Sequence, residues 1–287
     1  MANLRAIRTR IKGVESTRQI TKSMKMVAAA KLRRTQQAFG ALRDFADRSA
    51  AILREVAADG AGSGNPFLTP HAECRRVCYV LVVGNRGLCG TYNHALLRYL
   101  EDQAAADGQD CFLVVCGRWG KDLIPGAGIP IERCFDEISD SPTAEEAREL
   151  TEYLRQLYLE GKADKVVLVY QRYKSVLQQV PDRKQLLPLD WDESQHNGTG
   201  RYLFEPDRET VLNHLVDLYL NGTVHATLLE ARVGEHSSRM TAMTAAADNT
   251  EELIAELTLE LNHARQAAIT TEISEIAGGA EALKNKR

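Results

Sequence analysis

The sequence predicts the α/β class: a long antiparallel two-helix coiled coil formed by the N- and C-terminal helices, with a small Rossmann-like α/β domain inserted between them. Three observations predict it. An apolar residue recurs at alternating steps of three and four at both ends of the 287-residue chain and not in its middle. All eight prolines lie between Pro66 and Pro206. Within those limits, β-branched runs alternate with helical stretches.

The first repeat reads Leu4, Ile7, Ile11, Val14, then polar Arg18, Thr21 and Lys25, then Ala28, Leu32, Thr35, Phe39, Leu42, Ala46, Ser49, Leu53 and Val56. The second runs Leu212, Leu215, Tyr219, Gly222, Ala226, Leu229, Val233, His236, Met240, Met243, Ala247, Thr250, Ile254, Leu257, Leu261, Ala264 and Ala268. A 3.5-residue period keeps one stripe in contact only when two helices supercoil left-handedly, so the two ends are expected to clasp each other. Neither end contains the one residue that reliably breaks a helix. The expected division is 1–59 for the N-terminal helix, 74–190 for the α/β domain and 206–287 for the C-terminal helix. At about 1.5 Å per residue the rods span roughly 80 and 120 Å, which leaves on the order of 40 Å of the longer one without a partner in the chain. That surplus carries Ala264, Ala267, Ala268, Ile269, Ile273, Ile276 and Ala277. It is a slim apolar surface expected to be sheathed by another protein.

In the middle, Val77 to Val83 is a continuous apolar run of strand length, suited to burial on both faces of a parallel sheet. A glycine turn, Gly84 to Gly90, leads into a helix from Thr91, a reasonable cap, to about Ala106. Further strands are expected at Cys111–Cys116 and Lys165–Tyr170, separated by a helix beginning near Pro142 and Thr143 with Glu145 and Glu146 in its first turn. The turn spells G-x-x-G-x-x-G, which matches neither a dinucleotide fingerprint nor a phosphate-binding loop. Glycines permitting a tight turn account for it.

The search for other chemistry returns little. No segment is apolar for the roughly eighteen residues that span a bilayer, and the start Met-Ala-Asn-Leu-Arg lacks the apolar stretch of a secretory signal. Six cysteines, at 74, 78, 89, 111, 116 and 134, show no zinc spacing and read as thiols, with Cys89 the one expected to be exposed. Cys111 and Cys116 would point to opposite faces of one strand and could not bridge each other. The seven histidines form no i, i+4 pair, and His236 falls at a coil core position. Asp190, Asp192 and Glu193 lack the pattern of a calcium loop. No nucleophile, base and orienter can be read from spacing, so neither catalytic residues nor cofactor nor metal is expected.

The net charge of −3 conceals an asymmetry: between Met1 and Arg34 there are ten basic residues (Arg5, Arg8, Arg10, Lys12, Arg18, Lys22, Lys25, Lys31, Arg33, Arg34) against the single acid Glu15. These surround the helix, and no aromatic precedes Phe39 to stack on bases, so an acidic protein partner fits better than nucleic acid. A non-catalytic coiled-coil scaffold or adaptor remains the alternative at this point.

The residues also carry a resemblance. Ile7-Arg8-Thr9-Arg10-Ile11 and the run Thr17 to Leu32, together with Ser238 to Met243, Ala247-Asp248-Asn249 and Ala264 to Ile276, resemble the terminal signatures of the gamma subunits of F-type ATP synthases. Asn85 to Asn93, Gln179-Val180-Pro181 and Leu186 to Leu189 are similar to that family's core segments. The resemblance implies a bacterial-type central rotor shaft running into a ring of three alpha and three beta subunits. Its α/β foot would meet the epsilon subunit and the c-subunit ring, on the cytoplasmic face of the inner membrane without entering the bilayer. It places Met24, Lys25, Arg239, Gln266, Thr270 and Glu272 as contacts to the beta subunit, and Tyr202 and Glu205 as contacts to epsilon or the c ring. The cysteine-bearing insertion of the chloroplast members has no counterpart here.

Overall fold

The computed structural model describes residues 2–58, 64–120, 128–189 and 204–284, arranged as two compact units. One unit holds residues 28–239; the other holds 1–27 together with 240–287. Two helices, α1 (Ala2–Ala58) and α4 (Arg208–Lys284), contribute to both.

The larger unit is built on a five-stranded sheet of β1 (Arg76–Val82), β2 (Asp110–Cys116), β3 (Ile131–Phe135), β4 (Lys165–Ser175) and β5 (Gln178–Leu187). The order is β3-β2-β1-β4-β5; the first four strands are parallel and β5 closes the sheet antiparallel to β4. Because successive side chains alternate across a strand, β1 feeds two cores. Cys78, Val80 and Val82 face one, packed with Leu53 and Val56 of α1, Leu150 and Leu154 of α3 (Ala144–Leu159), and Val216, Leu220, Val224 and Leu228 of α4. Val77, Tyr79 and Leu81 face the other, under Leu96 and Leu100 of α2 (Tyr92–Asp107). The two strands not foreseen are the ones with mixed faces: β3 carries Glu132 and Arg133, and β5 is a polar edge strand containing Pro181. An edge position is where a strand tolerates proline.

Helix ends follow local chemistry. Thr143 caps α3 by accepting from the Glu146 amide, while the Glu146 carboxylate accepts from the Thr143 amide, a complete capping box. Thr91 stands at the N-cap of α2 but its side chain makes no capping bond, contrary to expectation; instead α2 closes at Gly108, whose φ of 62° suits a left-handed terminus.

The heptad stripes are where the sequence puts them. Every position of both repeats is buried or half-buried, from Leu4 to Val56 and from Leu212 to Ala268. In the smaller unit Ile7 and Thr21 of α1 and Met243, Ala247 and Leu257 of α4 are buried. The helices run antiparallel: Arg208 at the start of α4 donates to the Val56 carbonyl near the end of α1, and the first 27 residues group with those after 240. One expectation is exceeded. From Leu228 to Ser237 every residue of α4 but the half-buried Glu230 is buried, because the sheet and the turn after β1 pack on it as well. No helix among the described residues is long and apolar enough to cross a membrane.

Candidate functional site

Two features stand out against this frame, one in each unit. The first is helix surface that no described residue of the chain covers. From Ile269 to Ala280 every residue of α4 is exposed, with Ile273 61 % and Ile276 70 % accessible. This bare stretch begins five residues later than expected, since Ala264 and Ala268 are still half-covered. On α1, Ile20, Met26 (65 %) and Val27 are exposed apolar residues lying off the heptad stripe. They flank Met24 and Lys25, which are half-buried. Sequence reasoning named Met24 and Lys25 but passed over their neighbours; the signal was apolar residues that break the three-four spacing.

The second feature is a buried ionic cluster in the larger unit. The Glu235 carboxylate accepts from Arg232 Nη1 at 2.7 Å, from Arg239 Nη2 at 2.6 Å and from the Asn85 amide at 3.3 Å. Arg232 also donates to the Val83 carbonyl at 3.2 Å and to Asn85 Oδ1 at 3.0 Å, and Arg239 to the Arg86 carbonyl at 3.0 Å. Burial pushes the Glu235 carboxyl up, but the two guanidinium charges outweigh it and hold the group below its ordinary range. Beside them Lys31 of α1 pairs with Asp140 of the segment after β3. The cluster fixes the Gly84–Gly90 turn, in which Leu88 adopts φ 60° and is 64 % exposed. Arg232 stands three residues before Glu235 and Arg239 four after it, a spacing that is equally the pattern of a solvated helix face.

Cys89 corrects the expectation of exposure. It is 3 % exposed, its thiol donates to the Arg86 carbonyl and accepts from Asn93, and its carbonyl takes the Ser238 hydroxyl at 2.7 Å. Burial raises its pKa, so it is no reactive thiol. The glycines on either side suggested an open loop; α4 covers it. The exposed cysteine is Cys74. Cys111 and Cys116 do lie on opposite faces of β2.

The expected contact residues divide. Gln266, Thr270 and Glu272 are exposed on α4, with the Thr270 hydroxyl donating back to the Gln266 carbonyl at 3.0 Å. Arg239 belongs to the larger unit, its guanidinium engaged inside the cluster. Glu205 is exposed before the cis peptide to Pro206. Tyr202 lies outside the described residues, as do Asp190, Asp192 and Glu193. Among the described residues no group of three or more His, Cys, Asp or Glu side chains could hold a metal ion.

Solved structures share this fold: the rotor of the Euglena gracilis mitochondrial ATP synthase superposes with a TM-score of 0.67 at 19 % identity, covering 93 % of this chain and 99 % of that one. The central stalk of the Tetrahymena thermophila mitochondrial enzyme does so at 0.60 and 22 %, covering 79 % of this chain and 99 % of that one. Sequence relatives are nearer. The ATP synthase gamma chain of Moorella thermoacetica is 42 % identical over 287 residues, and that of Chlorobaculum parvum 40 % over 291, each covering 99 % of this chain and all of the relative. A family model described as ATP synthase matches residues 3–283. A full-length match of this strength, on a chain with two paired terminal helices and an inserted mixed sheet, means that this protein belongs to the ATP synthase gamma chain family.

Proposed function

We propose that the chain is the central rotor shaft of an F-type ATP synthase, turning with a c-subunit ring and driving the catalytic beta subunits of an alpha3beta3 ring through their states. It supplies torque and no active site of its own; the nucleotide chemistry belongs to its neighbours. Segment 1–59 and segment 206–287 serve as the shaft, and segment 74–190 as the foot that meets epsilon and the c ring. The complex works at the cytoplasmic face of a bacterial inner membrane, with this chain peripheral to the bilayer.

One observation carries the reading: α4 runs past its covered stripe into a length of helix whose Ile269, Ile273 and Ile276 are bare. Water does not favour such a surface, and a sleeve of other subunits removes it from water. Its small residues suit turning within a sleeve, since large aromatic anchors would act as a brake. The exposed Ile20, Met26 and Val27 beside Lys25 form a second contact, to an acidic partner loop. Met24, Gln266, Thr270 and Glu272 complete the beta-facing set, with Glu205 and Tyr202 facing epsilon or the c ring. Arg239 acts indirectly, by holding the turn at Arg86 and Gly87.

The test is made in membrane vesicles carrying the assembled complex. Gln266→Ala combined with Thr270→Ala should lower ATP-driven ion pumping relative to ATP hydrolysis several-fold. Unchanged coupling and assembly would refute the contact assignment. Purification without two ATP-binding subunits would instead favour an adaptor.

A further inference from the structure

The strand order reverses at β1, with β2 and β3 on one side and β4 on the other. In open α/β sheets, the crevice outside the strand ends at such a point is where a ligand sits, its anionic group against the backbone of the adjoining strand-to-helix turn. In this protein the crevice is filled by α4. The part of α4 that enters it is Glu235, which lies on the turn following β1. Gly84 makes the approach possible: a Cβ there would stand 2.9 Å from Glu235 Cδ. Three donors converge on the carboxylate, the Asn85 amide, Arg232 Nη1 and Arg239 Nη2. The side chains of Arg232 and Glu235 are each 1 % exposed, so the cradle is closed to water. A second fit lies at the preceding residue. Gly234 has no side chain to strike the Tyr92 ring, which a Cβ would meet at 3.1 Å, and the Tyr92 hydroxyl donates to the Ala231 carbonyl at 2.7 Å.

We propose that the crevice at the end of β1 is a small-anion seat whose resident occupant is the Glu235 carboxylate, so that α4 is an internal ligand of the sheet. A carboxylate, two guanidinium groups and a backbone amide in a dry pocket are the chemistry of anion recognition. Cutting the side chain back to the Cβ leaves Arg232, Arg239 and the Asn85 amide facing a space the size of the lost carboxylate. A small monovalent carboxylate such as formate has the charge, the two oxygens and the volume to fill it.

Thermal unfolding of the full chain tests this. Glu235→Ala should lower Tm by on the order of 10 °C, since it strands two buried cations. Sodium formate should then recover half or more of that loss, saturating with concentration. Glu235→Gln, which fills the space without the charge, should not respond, nor should Glu235→Ala combined with Arg232→Ala. Independently, Gly84→Ala should destabilise the unaltered chain and cost little in the Glu235→Ala background, where the methyl has room. If Glu235→Ala does not accumulate folded, its refolding yield with and without formate makes the same comparison. Equal formate effects in all variants, no recovery at all, or an equal Gly84→Ala cost in both backgrounds would each overturn the proposal.

Discussion

Glu235 and His236 are consecutive on α4, and burial acts on both while their neighbours decide the outcome. Burial disfavours the charged His236 imidazole, and this outweighs the attraction of Glu235 and Asp140, which Arg239 and Lys31 partly cancel, so its pKa is lowered. Its Nε2 is buried without a hydrogen-bond partner among the described residues. The unfolded chain therefore binds a proton near the ordinary histidine pKa of about 6.5 while the folded chain does not. The His236 contribution is fully present above that pH and is lost as pH falls toward the lowered folded value. Melting at pH 7 and pH 5.5 should show a smaller acid-induced drop in His236→Gln than in the unaltered chain, and equal drops would exclude this role. Tyr92→Phe, which removes the side-chain donor to an Ala231 carbonyl that also lies within the α4 helix, should cost about 0.5–1.5 kcal/mol in urea unfolding. At this scale the sequence was partly legible. The repeat put His236 in the core, but nothing in the spacing of Arg232, Glu235 and Arg239 said that a sheet would close over them, and Cys89 was misplaced for the same reason.

At the scale of elements, the Thr143–Glu146 capping box sets where α3 begins. Burial raises the Glu146 carboxyl, but bonds from Thr143 and Ser139 outweigh it and lower its pKa. Thr143→Ala should cost about 1 kcal/mol, read as a shift in the denaturant midpoint with unchanged slope. The buried strands β1, β2 and β4 were readable because a strand covered on both faces must be apolar throughout. Strands β3 and β5 were not, because an edge or half-covered strand mixes polar and apolar residues and looks like a loop. The heptads were the most legible part, since a period is a property of the helix itself and does not depend on what covers it. What the period could not convey is the stretch of α4 from Leu228 to Ser237, where a second surface buries the residues between the stripe positions.

For the whole molecule, the exposed end of α4 separates stability from function. Removing residues 269–287 should leave the Tm of the isolated chain within about 2 °C, because the exposed side chains of residues 269–280 contribute little to folding. The same deletion should sharply reduce ATP-driven pumping in the assembled complex. A large fall in Tm would mean that the end packs on its own chain. The proposed contact residues rest on resemblance alone, because a surface that meets another protein and one that meets water are written with the same residues.

The pairing of the first 27 residues with those beyond 240 also has a consequence for synthesis. The opening segment leaves the ribosome with its apolar stripe uncovered, and its mate follows more than two hundred residues later. At ordinary elongation rates that is an interval of roughly 10 to 40 seconds. For that time Leu4, Ile7, Ile11 and Val14 have no native partner, so a nascent-chain chaperone should be bound there until translation ends.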